Sequence, residues 1–243
     1  MLRTGPGHPH FNMGMDEALL LADEAQPTLR LYRWQPAGLS IGYFQSSSGF
    51  SNVSGDHVMV RRLTGGGAIL HDDELTFSLA LDARRLPAGI PESYNLIHRA
   101  VCKALAKVGV ISSFPDGRSN PPTAARPEIP WCFAEPTPQD LLSQSGRKLL
   151  GSAQRRVRRP RERVLHHGSL VLRPPAATPF CGSVEESTDP ETVSTQLEDA
   201  LISCVASSLD LRPVAGVPTA REQADARRLA AERYSSDSFT HRR

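Results

Sequence analysis

The chain has 243 residues, 39% of them apolar and 22% charged, with a formal net charge of +2. That length allows one large domain with a real core, and the composition is that of a soluble globular protein. No run of ~18 uncharged apolar residues offers a membrane span, the small net charge makes no case for nucleic acid, and the N-terminal stretch lacks the apolar centre of a signal peptide.

In chain order, "NMGMDEALLLADEA" places Met15, Leu19 and Ala22 at helical spacing. "TLRLYRW" alternates apolar and polar residues and predicts a strand, with "LSIGYF" as its hairpin partner across "QPAG". "HVMVRR" is a third strand and "TFSLALD" a fourth, with Phe77, Leu79 and Leu81 on one face. "PESYNLIHRAVCKALAKVG" gathers Ile97, Ala100, Val101, Ala104, Leu105 and Val108 on one helical face, ended by Gly109. Residues 114–130 hold five prolines without periodicity and predict an irregular loop directly before "WCF". Two further strands, "RKLLGSAQRRV" and "VLHHGSLVL", follow around a charged turn. The tail from about 191 reads as two helices, "TVSTQLEDALISCVASSL" and "AREQADARRLAAERY". The sum is an α+β fold: a mixed β-sheet domain over residues 1–190, flanked by helices, with a short helical C-terminal extension over 191–243.

Cys102, Cys132, Cys181 and Cys204 are far apart, with no CxxC pair and no zinc-like spacing. The expectation is a cytoplasmic protein with reduced thiols and no metal site.

The stretch "RRLTGGGAILH", residues 61–71, sets three adjacent glycines behind Arg61, Arg62 and Thr64. Glycine weakens a strand or helix by ~0.5–1 kcal/mol relative to alanine, so the run needs a local reason. A plain turn is one. The other is a concave anion site lined by Gly65, Gly66 and Gly67 N–H groups, with Arg61 and Arg62 supplying charge and Thr64 a hydroxyl. It is neither a Walker loop nor a dinucleotide fingerprint. About eighty residues on, "GRKLLGSAQRR" sets Lys148 among Gly146, Gly151 and Ser152. Lys148 is either a solvated surface charge or a cation projecting into a cleft.

These two stretches, with "NMGMDEALL", "LRLYRWQPAGLSIGYFQ", "ELTFSLAL", "LHHGSLVL" and the closing "LAAERYSSDSF", resemble the biotin/lipoate protein ligase superfamily in its lipoate/octanoate branch. The resemblance runs in order from about residue 10 to 240. It implies a mixed-sheet catalytic domain in which the glycine-rich segment and the lysine strand wall a tunnel for a medium-chain acyl group.

That superfamily holds two chemistries. Lipoate ligases activate a free acid with ATP. Octanoyltransferases take the acyl group from acyl carrier protein as a thioester and need no ATP. Cys132 in "WCFAEPTPQDLLSQSGRK" stands sixteen residues before Lys148, an arrangement similar to the ligase-like octanoyltransferases of the LipM type. The resemblance implies Cys132 as nucleophile and Lys148 as its catalytic partner, with Arg62, Thr64, Gly65, Gly66, Gly67, His71, Gly151, Ser152, His167 and Gly168 binding substrate, and no cofactor. It further implies octanoyl-acyl carrier protein as donor and a lipoyl domain or glycine-cleavage H protein as acceptor. A thioester exchanged for a thioester is nearly isoenergetic, whereas the final amide is downhill, so a thiolate serves as relay without external energy. An ATP-dependent ligase, an octanoyl amidotransferase between carrier proteins and a non-catalytic carrier-binding protein remain as alternatives. From the residues alone, Cys132 also reads as a small packed hydrophobe, and His71 as either a proton acceptor or a hydrogen-bonded structural histidine. His166 and His167 alternate along a strand, so one at most faces the pocket. The basic run 155–163 reads as a charged turn and a docking rim for acidic carrier domains.

Overall fold

The computed structural model describes residues 1–22, 26–50, 55, 57–116, 131–158 and 161–242. Most of the expected proline-rich loop, residues 117–130, and positions 159–160 of the basic run lie outside the described residues.

The larger sheet has six strands: β1 (Leu2–Gly7), β2 (Thr28–Trp34), β6 (Glu74–Asp82), β7 (Leu141–Leu142), β8 (Lys148–Val157) and β9 (Arg163–Val171). Their order is β1-β2-β6-β9-β8-β7, with β1 parallel to β2 and every other pairing antiparallel. The smaller sheet orders β4 (Val58–Arg61), β3 (Gly38–Ile41) and β5 (Ile69–His71) as β4-β3-β5. The helices are α1 (Pro9–Leu21), α2 (Ile90–Lys107), α3 (Pro190–Ser208), α4 (Ala220–Leu229) and a short α5 (Asp237–Thr240).

Strand alternation sorts the layers, because successive side chains point to opposite faces. Leu75, Phe77, Leu79 and Leu81 of β6 join Leu29 and Leu31 of β2 in the main core, against Ile97, Val101 and Leu105 of α2 and Leu197 and Leu201 of α3. The opposite face carries Tyr32 and Trp34 of β2, Ala80 of β6 and Leu165 of β9, which pack on Met13, Met15 and Leu19 of α1. Helix α4 lies on α1, close enough that a Cβ at Gly14 would meet the Ala226 carbonyl oxygen at 2.4 Å. The result is three layers: α2 and α3, the six-stranded sheet, then α1 with the small sheet and the C-terminal helices.

The expected hairpin between "TLRLYRW" and "LSIGYF" does not form. β3 instead pairs with β4 and β5, while β2 pairs with β1 and β6. A tight two-strand turn keeps both strands in one sheet, but the connection over residues 35–37 carries the chain to a second sheet. Strand β1, "LRTGPG", escapes sequence reading because its glycines and proline dilute any alternation.

Candidate active site

Between the two sheets runs a narrow cleft with a mainly apolar lining. Its floor is the α1-side face of the large sheet, including Tyr32, Trp34, Thr76, Ser169 and Gly151; across it stand Arg62, Gly65, Gly66, Ile69 and His71.

Cys132 reaches this cleft through backbone pairing. Its N–H donates to the Ala68 carbonyl at 2.8 Å, and Trp131 bridges Ala68, so "WCF" runs alongside the end of the glycine stretch. Gly151 then receives the thiol: a Cβ there would lie 3.1 Å from Cys132 Sγ and 3.1 Å from two ring carbons of Phe133. The glycine is required by close approach, since its own φ is not in the left-handed region.

Lys148, the first residue of β8, places its Nζ 3.8 Å from Cys132 Sγ. The same ammonium sits 2.8 Å from Asp140 Oδ2, and both side chains are buried. Burial works against the charge on Lys148, but Cys132 and Asp140 outweigh it, and its pKa is raised. Lys148 is therefore a buried cation held between a carboxylate and a thiol. Cys181, near the same cluster, has its thiol pushed up to about 12, chiefly by burial, which leaves it protonated and poor as a rival nucleophile.

The glycine stretch is shaped by Arg62. Its Nη2 donates to the carbonyls of Gly65 at 3.2 Å and Gly67 at 2.8 Å, and its Nη1 to Ser40 O and Oγ. Gly66 has φ +94°, the left-handed backbone that glycine adopts without strain. Arg62 Nε is buried with no partner among the described residues, on the wall of the cleft. Arg61 points elsewhere: its guanidinium donates to the carbonyls of Gly42, Gln45, Phe239 and Thr240, tying α5 to the loop after β3.

Both nitrogens of His71 are taken, Nε2 by Ser40 Oγ at 2.6 Å and Nδ1 by Glu74 Oε1 at 2.7 Å, and its ring stacks on Trp34 at 3.8 Å. Burial lowers its pKa despite the Glu74 carboxylate. His167 faces the cleft, with Nε2 2.7 Å from Thr64 Oγ1 and Nδ1 3.6 Å from Asp16 Oδ2. His166 takes the other face, among Phe77, Tyr94 and His98. Ser152 and Gly168 border the cleft through their backbone; the Ser152 hydroxyl turns to the α2 side, 2.8 Å from His98 Nε2.

Sequence reasoning passed over Asp140, Asp16, Tyr32 and Trp34. The rings had a signal, since "TLRLYRW" puts Arg30, Tyr32 and Trp34 on one face and its leucines on the other. Asp16 bonds Arg30 Nη1 and the Tyr32 hydroxyl at 2.9 Å each, so "NMGMD" supports the floor of the cleft. Asp140 had no signal in "PTPQDLL".

The sequence matches the family described as lipoyl protein ligase A/B catalytic domain over residues 8–196. The chain belongs to that family. Among curated relatives, the octanoyltransferase LipM of Kyrpidia tusciae is 34% identical, with the alignment covering 100% of this chain and 98% of the relative. The LipM of Bacillus subtilis is 35% identical over 70% of this chain and 63% of its own. Among solved structures, a lipoate-protein ligase A bound with ATP superposes with TM-score 0.77 at 21% identity, covering 99% of this chain and 96% of that one. A bi-partite lipoate protein ligase of Thermoplasma acidophilum gives 0.74 at 21% identity, covering 99% and 94%. These two show the lipoyl ligase fold of the family. No helix among the described residues is long and apolar enough to cross a membrane.

Proposed function

We propose that this protein is an octanoyltransferase of lipoate biosynthesis that carries the acyl group on Cys132. The observation that carries this reading is the Lys148 ammonium 3.8 Å from the Cys132 sulfur, at an apolar cleft. The LipM relatives, two of them aligned along nearly their whole length, support the same activity.

The Cys132 thiolate attacks the carbonyl of an octanoyl thioester; a new C–S bond forms and the donor thiolate leaves with its electron pair. An acceptor lysine, entering as the free amine, then attacks the Cys132 thioester. The amide C–N bond forms, the C–S bond breaks, and the proton shed by nitrogen returns to sulfur. Lys148 supplies the charge that compensates the thiolate in both steps. Arg62, a residue of the cleft wall whose Nε is buried without a partner among the described residues, offers that N–H to the oxyanion of each tetrahedral intermediate. His71, with both nitrogens engaged, takes no proton in this scheme.

In this reading the donor is octanoyl-acyl carrier protein, the acceptor is a lipoyl domain or glycine-cleavage H protein, and the setting is the cytoplasm. Incubating the protein with octanoyl-acyl carrier protein and an apo-lipoyl domain, with and without ATP, tests it. The expected result is a mass gain of one octanoyl group on Cys132, followed by octanoylation of the domain independent of ATP. No adduct on Cys132, or undiminished transfer by Cys132→Ala, overturns the reading; transfer of free lipoate that requires ATP establishes a ligase instead.

A further inference from the structure

The strand register draws a line across the cleft floor. Gly151, beneath the Cys132 sulfur, is opposite Ser169; Ser169 is opposite Thr76; and Thr76 is opposite Tyr32. All four border the cleft. Neighbouring strands are ~4.8 Å apart, so this row measures roughly 14 Å from β8 to β2. Its first three positions carry small side chains. The fourth is a ring, and Trp34 adds a second two residues along the same face.

Both rings are locked. Tyr32 lies under the Arg30 guanidinium at 3.8 Å and donates its hydroxyl to Asp16 at 2.9 Å. Trp34 stacks on His71 with a 10° interplanar angle and donates Nε1 to Thr76 Oγ1 at 2.8 Å. His71 is in turn fixed by Ser40 and Glu74.

We propose that the acyl chain on Cys132 lies along this row and that Tyr32 and Trp34 are its end stop, so that the enzyme selects chain length by strand spacings. A zigzag of ~1.5 Å C–C bonds advances roughly 1.25 Å per carbon, so an eight-carbon acyl group reaches about 10 Å from sulfur. That is two spacings. Its methyl end lies over Thr76, and the Tyr32 ring fills the third. His71 acts here as a positioning residue that backs Trp34.

The proposal rests on Cys132 being acylated, and its test keeps the two ideas apart. Full-length protein is given hexanoyl, octanoyl, decanoyl and dodecanoyl thioesters of pantetheine, and the initial rate of adduct formation on Cys132 is read by intact mass. Wild type peaks at octanoyl. Trp34→Leu raises the dodecanoyl-to-octanoyl rate ratio about tenfold or more, since one methylene in an apolar pocket is already worth ~10-fold or more. His71→Gln moves the ratio in the same direction by less. Ser169→Thr keeps a hydroxyl for Glu74, which the Ser169 side chain contacts, and adds a methyl halfway along; it shifts preference to hexanoyl, and it answers the question even where Trp34→Leu does not fold. Acylated variants whose chain-length profiles match wild type overturn the end stop and leave the transferase reading standing. A wild type that forms no adduct with any of the four overturns both.

Discussion

Lys148 Nζ and Asp140 Oδ2 form a buried ion pair at 2.8 Å, and the same ammonium faces the Cys132 sulfur. Asp140 thus fixes the cation that faces the proposed nucleophile. Breaking such a pair by removing one partner costs about 3–5 kcal/mol, while replacing both by apolar residues is often neutral. Asp140→Leu is expected to lower the urea midpoint markedly and slow Cys132 acylation. Adding Lys148→Met to it is expected to restore most of the stability without restoring acylation. Unfolding curves and adduct rates on the single and double variants check both halves.

Gly151 lets the thiol and the Phe133 ring rest on β8. A methyl there meets Sγ and two ring carbons at 3.1 Å, tighter than ordinary contact, so Gly151→Ala must push "WCF" outward. Overpacking of this kind costs about 1–3 kcal/mol, but the larger expected effect is on acylation rate, because the sulfur moves off Lys148. Gly49→Ala, where a Cβ meets nothing within 4 Å, is the control and is expected to match wild type in both measurements.

The sequence made the strand β6 and helix α2 legible because each buries one clean apolar face. The same periodicity puts His166 and His167 on opposite faces. Cys132 and Lys148 were legible as a pair through the family resemblance; on residue pattern alone neither stood out. The pairing of β3 was not legible, because strand partners are chosen by long-range packing and "LSIGYF" fits either sheet equally well. Asp140 was hidden for a related reason: its meaning lies in a lysine across the β7–β8 turn, and an isolated aspartate next to prolines carries no such signal. The role of Arg61 was misleading in the other direction, since two adjacent arginines beside a glycine loop suggested charge at the site.

Arg61 instead holds the C-terminus. Its Nε and Nη2 donate to Phe239 and Thr240 carbonyls, and its Nη1 to Gly42 and Gln45. Gly42 in turn sits so near Gly66 that a Cβ would lie 2.0 Å from the Gly66 carbonyl oxygen. Loosening the loop after β3 therefore loosens the glycine stretch. Lysine cannot reproduce the fork of a guanidinium, and each buried acceptor left unpaired costs about 1–3 kcal/mol. Arg61→Lys is expected to lower the melting temperature and to raise KM for the acyl donor more than it lowers kcat; unchanged melting and kinetics would show that α5 docks without it.

Three buried histidines give the fold an acid limit. Burial lowers the pKa of His71, His98 and His166, the last well below its usual value, where the neighbouring His98 and His167 add to the effect. A histidine that is harder to protonate in the folded chain binds fewer protons there than when unfolded. Its contribution is thus complete above the unfolded value near 6.5 and is lost as pH falls below it, by up to about 1.4 kcal/mol per pH unit for each group. Glu74 acts lower. Burial alone would raise it, but His71, Ser169 and Thr76 outweigh burial and hold it below the ordinary glutamate value of 4.5, so its share disappears only as pH drops beneath that value. Between roughly pH 6.5 and 4.5 the slope therefore belongs to the histidines. His166 is the cleanest to test: its Nε2 is buried with no partner among the described residues, and its side chain lies on the face of the sheet away from Cys132. Urea midpoints for wild type are expected to fall steadily from pH 7 to 5, and His166→Leu is expected to flatten that fall while retaining Cys132 acylation at pH 7. Equal slopes for the two proteins would assign the acid sensitivity to His71, His98 and the half-buried His10, whose pKa burial also lowers.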